Sequence, residues 1–383
     1  MTGDAKRRLA QKPERIVRFI ILGIVSFSSI AGFAAEDELD LKEPSIWSHF
    51  IDLRTEAGYR DNPTYAASYP EGSTFGAIKL EYTLARLPVD AWQVMVLTTL
   101  DATRFFDSHL SDHEIYGFSL FQVQKETLPG CHWEAGLQHV YQDQTIDAST
   151  TVLNQGSVAI HGNTVQGYGR WKQQWHSGWW LAAKPELEWQ TVAAPLDGSI
   201  ESGFTFSLGL DQGARTAYSI NYGFCERVFD ELTTTDALGV ALLGNALRFR
   251  QHSIEAIYRR ELDAARLWRF TLRAGWLRNQ DNGQGYYDYD RGRMALDVRW
   301  RKKPWEIKLY SRASYYDYSV QTIAGVGSDL RAKGLLSAGL QVRRDLKPGW
   351  YVVLRGEHEQ SVSNLTVDRY VANLVSIGLG WEN

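Results

Sequence analysis

Val375-Ser376-Ile377-Gly378-Leu379-Gly380-Trp381, close to the C-terminus, sets a large apolar residue at every second position and a small one at each position between. Successive side chains of an extended strand point to opposite sides, so a period of two predicts a strand with one apolar face. The alternation recurs upstream. Ile78, Leu80, Tyr82 and Leu84 alternate with Lys79, Glu81 and Thr83; Trp268, Phe270, Leu272, Ala274 and Trp276 oppose Arg269, Thr271 and Arg273; Met294, Leu296, Val298 and Trp300 oppose Arg293, Asp297 and Arg299. With weaker segments included, the pattern predicts about sixteen strands, each near the ~10 residues that cross an outer membrane at a tilt. The expected fold class is all-β, a closed antiparallel transmembrane β-barrel.

The connections also alternate. Short ones fall at 88–90, 126–130, 176–178, 212–214, 263–265, 302–304 and 347–349, and long ones at 61–72, 103–113, 142–163, 191–199, 228–246, 279–290, 317–332 and 361–369. Short periplasmic turns and long external loops belong to the same architecture. Loops 142–163 and 228–246 are expected to narrow the mouth, and the apolar run Ala237 to Leu243 predicts that 228–246 packs inside the barrel or on the membrane.

At the other end, Lys6, Arg7, Arg8, Lys12, Arg15 and Arg18 precede an apolar run from Phe19 to Ile30 and the small residues of Gly32-Phe33-Ala34. The apolar run is about a dozen residues, short of the ~20 that a spanning helix needs, and reads as a signal peptide. The chain therefore divides into a signal peptide over 1–34, a periplasmic lead over 35–48 and a barrel over 49–383. A mean hydropathy of −0.32 is compatible with a membrane protein only if lipid touches alternate residues. The net charge of −4 gives no reason to expect nucleic acid, and no pattern asks for a cofactor. Cys131 and Cys225 are expected near opposite rims, too far apart for a bridge.

Aromatic residues mark the edges of the apolar zone. Trp92, Trp133, Trp175, Trp179, Trp268, Trp300, Trp305, Trp350 and Trp381 all lie near a short turn or the closing terminus. Indole joins an apolar ring to one N–H donor, so a belt at the boundary between hydrocarbon and headgroups is expected. Tyr59, Phe105, Tyr116, Tyr141, Trp189, Trp276 and Tyr315 are expected on the opposite rim.

Two stretches resemble a known group. Ala57-Gly58-Tyr59-Arg60-Asp61-Asn62 resembles the Gly-Tyr followed by Asp-Asn near the start of outer-membrane barrels of the β-barrel porin type found with exopolysaccharide synthesis and export systems. The closing strand resembles their C-terminal insertion signal. Members more often carry an acidic residue where Arg60 stands, and here Glu382 and Asn383 follow the final aromatic. The resemblance implies an integral protein of the bacterial outer membrane, assembled into its lipid by the barrel-assembly machinery, with a pore or export role and no catalytic residues.

Strands that turn their apolar side to lipid must turn their polar side inward. Proposed lumen residues are Arg269, Arg273, Arg293, Asp297, Arg299, Lys308, Arg312, Arg355 and Glu357. Two readings stay open: a field that favours anionic solutes or polysaccharide, or opposite charges that pair across strands and keep the interior wet. Tyr286-Tyr287-Asp288-Tyr289 and Tyr315-Tyr316-Asp317-Tyr318 offer rings for sugar faces or rim anchors. The expected function is a passive channel for hydrophilic solutes, with exopolysaccharide as a candidate cargo. The alternatives are a docking barrel without conductance and a barrel hydrolase built on Asp107, His109, Asp112 and His113.

Overall fold

A computed structural model describes residues 46–383 except 68–69, 90–91, 108–112, 148–156, 194–195 and 324–328. The expected signal peptide and most of the lead lie outside the described residues. Sixteen strands follow in order: β1 (Trp47–Arg60), β2 (Ser73–Val89), β3 (Trp92–Phe105), β4 (His113–Leu128), β5 (Cys131–Asp147), β6 (Ser157–Gln174), β7 (Trp179–Val192), β8 (Ser199–Gln212), β9 (Thr216–Thr235), β10 (Ala241–Glu261), β11 (Trp268–Asp281), β12 (Tyr289–Lys302), β13 (Trp305–Thr322), β14 (Leu330–Lys347), β15 (Trp350–Ser363) and β16 (Tyr370–Glu382). Each pairs with its sequence neighbours, and β1 pairs with β16, so the sheet closes.

The strand that decided the fold shows its logic. On β16, Val375 and Ile377 are 67% and 55% exposed on the outer side, while Leu374 and Ser376 retain 6% and 4% on the inner side. Shared cavities identify the inner side. Glu134, Arg170, Lys184, Ser207, Glu255 and Arg293, from strands β5 to β12, line one cavity of about 410 Å³, as only the concave face of a ring allows. The small residues of β16 are slots for large inward neighbours: a Cβ at Gly380 would stand 2.1 Å from the Tyr351 ring, and one at Gly378 would stand 2.8 Å from Glu56 Cγ. Tyr351 is buried, and its hydroxyl donates to Asp52 of β1.

Side chains reinforce the β1/β16 seam at both ends. At the short-turn end Arg343 of β14 ties β16 down across β15, donating to both oxygens of Glu382 at 2.9 and 2.5 Å and lying 3.7 Å over the Tyr351 ring. Asn383 closes on Ile51, accepting its backbone N–H at 2.8 Å and returning its own to the Ile51 carbonyl at 3.2 Å. At the long-loop end Asp61 accepts from the backbone N–H and the side-chain amide of Asn373, both at 2.6 Å. The two residues that follow the last aromatic are therefore part of the closure.

The described strands run from 13 to 21 residues, longer than a membrane requires, and shorten the loops accordingly. Residues 142–147 and 157–163 belong to β5 and β6, and residues 228–235 and 241–246 to β9 and β10, leaving 236–240 as the connection. This corrects the expected loop 228–246. Its apolar residues Leu238 and Val240 are exposed at a hairpin tip where Asp236 accepts from the N–H groups of both. The middle of 142–163 lies outside the described residues. Cys131 opens β5 and Cys225 sits within β9 with its thiol toward Gln251, 3.7 Å away.

Trp92, Trp133, Trp179, Trp268, Trp300, Trp305, Trp350 and Trp381 lie on the outward side of strand ends next to short turns or the terminus, and Trp175 in the turn between β6 and β7. Trp268 and Trp300 face each other with ring centroids 6.1 Å apart. Of the residues expected on the other rim, Tyr59, Tyr141, Trp189, Trp276 and Tyr315 point outward, but Phe105 and Tyr116 do not. Phe105 stands an odd number of steps from outward Trp92, so strand alternation turns it inward, where it packs edge-on against Phe75 at 6.1 Å and is 3% exposed. Tyr116 is turned inward by the same parity, opposite Asp101.

Substituting Gly380 by Val should force the Tyr351 ring out of its slot and cost about 1–3 kcal/mol, the range for overpacking. The expected readout is a lower urea midpoint for loss of the heat-modifiable folded band. An unchanged midpoint would show that the slot is not needed for closure.

Candidate functional site

The candidate site is the inward face of the ring. Alternation places Arg269, Arg273, Arg293, Asp297, Arg299, Lys308, Arg312, Arg355 and Glu357 on that side. Most of them meet carboxylates at close range. Arg269 pairs with Glu261 at 3.0 Å, Arg273 with Asp297 at 2.8 Å, and Arg355 with Glu357 at 2.7 Å. Arg293 reaches from β12 past β11 to Glu255 of β10 at 2.6 Å. Gly275 leaves room for this crossing, since a Cβ there would stand 3.1 Å from Arg293 Nε. One nearly buried carboxylate, Glu306, serves Arg299 at 2.9 Å, Lys308 at 3.0 Å and Arg301 at 3.6 Å. Arg312 lies 5.6 Å over the Tyr310 ring and, among the described residues, has no carboxylate partner.

Local pairing does not even out the charge around the ring. Among the described residues of β11–β14 the inward cations outnumber the inward carboxylates of the same strands, Asp281, Asp297, Glu306 and Asp345, and several turn to carboxylates outside the arc, such as Glu255, Glu261 and Glu382. On β3–β8 the balance reverses: Asp101, Glu114, Glu126, Glu134, Glu186, Glu188, Glu201 and Asp211 outnumber Arg170, Lys172 and Lys184. In a ring of sixteen strands these two arcs lie across the lumen from each other.

The described connections also include one that folds inward. After β1 the chain turns at Asn62, which is 1% exposed; its amide donates to the carbonyls of Ala66 at 2.9 Å and Val371 at 3.1 Å, and its oxygen accepts from Ala66 N–H at 2.8 Å. Tyr65 takes a left-handed backbone, φ 58°, and lays its ring edge-on to Tyr370 at 5.3 Å. Burial pushes its phenol above the usual tyrosine range. Beneath it Arg60 spans from β1 to β4, donating to both oxygens of Glu114 at 2.9 and 3.0 Å, with the Phe105 ring 5.7 Å from its guanidinium. By sequence, 61–72 is only one of the long connections. The available signal was the Asn after Asp61 together with an inward-phase arginine at the very end of a strand.

The tyrosine runs divide between faces. Tyr289, Tyr316 and Tyr318 cluster inward at centroid distances of 5.6 and 5.7 Å, with Arg331 4.8 Å over Tyr318, while Tyr315 points outward. The hydrolase quartet is dispersed as far as it is described. Asp107 accepts from Thr74 N–H at 3.1 Å and its hydroxyl at 2.6 Å, bonds that hold its carboxyl below the ordinary range. His113 contacts Asp143 at 3.3 Å, a carboxylate it shares with His161 at 2.6 Å. His109 and Asp112 lie outside the described residues.

A closed ring with an apolar outward face and a charged inward one has a single stable setting. The chain is an integral β-barrel of the bacterial outer membrane. No protein family profile matches the sequence, and no curated protein is similar to it. Solved structures similar to the chain include OmpT, an outer membrane protein of Vibrio cholerae (9% identity, TM-score 0.47, 89% of this chain and 99% of that one). Acinetobacter baumannii OccAB1 is similar at 9% identity and TM-score 0.45, over 88% of this chain and 96% of that one. A bacterial polysaccharide outer membrane secretin matches at 10% identity and TM-score 0.42, over 87% and 97%. These likenesses describe the barrel alone.

Changing Glu306 to Gln should leave Arg299, Lys308 and Arg301 facing a neutral amide. The expected outcome is a barrel about 1–3 kcal/mol less stable to urea, whose reversal potential in a salt gradient moves toward anion preference. No movement of the reversal potential would place Glu306 outside the conducting path.

Proposed function

We propose that the protein is a passive pore for hydrophilic solutes. The observation that carries this reading is the inward face itself: polar and charged side chains line it around the ring, and sixteen strands enclose enough width for water beside them. Burying so much charge without solvent would cost several kcal/mol for each poorly paired ion, whereas a wetted wall keeps its ion pairs near 0–1 kcal/mol each. Water in the lumen makes such a wall affordable to the fold.

Passage then depends on the wall's polarity and its narrowest level. Hydroxyls, amides and ion pairs replace part of a solute's hydration. The cationic arc of β11–β14 concentrates anions on one side and the acidic arc of β3–β8 concentrates cations on the other, so the field runs across the passage. The Asn62–Tyr65 turn and the Arg60–Glu114 bridge narrow the outer end. Export of polysaccharide is the finer reading. Supporting it is the inward cluster of Tyr289, Tyr316 and Tyr318 beside Arg291, whose guanidinium lies 5.7 Å over the Tyr316 ring; such faces stack on sugar rings and bind acidic groups. The belt tryptophans anchor the barrel where hydrocarbon meets headgroups.

Planar-bilayer recording on refolded protein tests the pore. Discrete openings are expected, and the combined change of Arg269, Arg273 and Arg299 to Glu should shift the reversal potential toward cations. Folded barrels that never conduct would remove the pore reading. Arg60→Ala should raise single-channel conductance by releasing the bridge beneath Tyr65, and equal conductance would place the constriction elsewhere.

A further inference from the structure

The short-turn rim, periplasmic in outer-membrane barrels, sorts its charges by side of the wall. Among the described strand residues at or below the tryptophan level, the outward charged side chains are Arg86, Lys125, Arg260, Lys302, Arg344 and Lys347, all cationic. The carboxylates of the same rim, such as Glu261, Glu306, Asp345 and Glu382, take the inward phase and are held by inward arginines. Three of the outward cations lie on the belt itself: Lys125 4.7 Å from the Trp92 ring, Arg344 5.1 Å from Trp305, and Lys347 5.5 Å from Trp350. Each ring fixes its cation on the lipid side of the wall at the headgroup level. The other rim has no such sorting. There outward Arg250 meets Glu226 at 3.6 Å, and His161 meets Asp143 at 2.6 Å.

We propose that this rim is a binding surface for the phosphate headgroups of anionic phospholipids in the periplasmic leaflet. The occupant follows from position and charge together. The cations stand one step from side chains that touch acyl chains, and no outward carboxylate of the described strands neutralises them. A phosphodiester with its tail along the tryptophan face meets both requirements, since basic side chains near an anionic leaflet attract its lipids, and long cationic stems reach the interface while their methylenes cover apolar surface.

The test reconstitutes the full barrel in nanodiscs of equal parts phosphatidylglycerol and phosphatidylcholine. The lipid retained after transfer to detergent is then measured by mass spectrometry. Wild type should retain phosphatidylglycerol over phosphatidylcholine by on the order of tenfold, and the triple variant K125Q/R344Q/K347Q should fall toward parity. An outer-rim control, R248Q/R250Q/R278Q, should keep the wild-type preference. Unchanged preference in the triple variant, or an equal loss in the control, would overturn the proposal. Should the triple variant fail to fold, tryptophan quenching in the wild type decides: brominated phosphatidylglycerol must quench more strongly than brominated phosphatidylcholine, and equal quenching overturns the assignment.

Discussion

Inside a bilayer no water is available to an unpaired backbone N–H or C=O, so a sheet is stable there only if its last strand finds its first. The pairing of β1 with β16 is the condition on which every other feature of this molecule rests. Polypeptide hydrogen bonds alone do not mark which strand is last, and this chain adds side chains that do. Asn383 caps Ile51, and Asp61 holds Asn373. The narrow inner face of β16 belongs to the same solution. Its glycines let Tyr351 and Glu56 lie over the last strand, and Tyr351 reaches across it to Asp52.

The inward wall shows two scales of electrostatics. Over a few ångströms, nearly every proposed lumen arginine has found a carboxylate, which favours the pairing account of these charges. Across the width of the ring, the arcs still differ in sign, because pairs such as Arg299–Glu306 are embedded in a surplus of cations that one carboxylate does not cancel. Neutralisation at short range and a field at long range are therefore compatible, and in the proposed pore only the second can sort a solute.

Period-two patterning revealed the architecture because lipid allows no other arrangement of half-apolar strands. The parity of a residue's distance along a strand from the belt decides its face, so Phe105 and Tyr116, expected at the outer rim, turn inward; one step separates a rim anchor from an interior ring. Lumen arginines were legible by the same parity, but their partners were not. Arg293 reaches Glu255 across an intervening strand, and a sequence without register gives no sign of that crossing. The loops were overdrawn because the strands continue past the membrane, where polar composition hides an extended backbone. The inward turn at Asn62 depends on contacts to β16, more than three hundred residues away, and local sequence cannot display them.

Asp61 and Asn62 are adjacent, and both are fastened to β16, one to Asn373 and the other to the Val371 carbonyl. The same two residues carry the turn that overhangs the entrance. In the proposed pore, entrance and closure are thus one mechanical part: a bulky guest pressing the Tyr65 overhang aside pulls directly on the joint that keeps the cylinder shut. Widening by that route has a ceiling set by the strength of the joint, and guests above it would have to enter in slender or extended form.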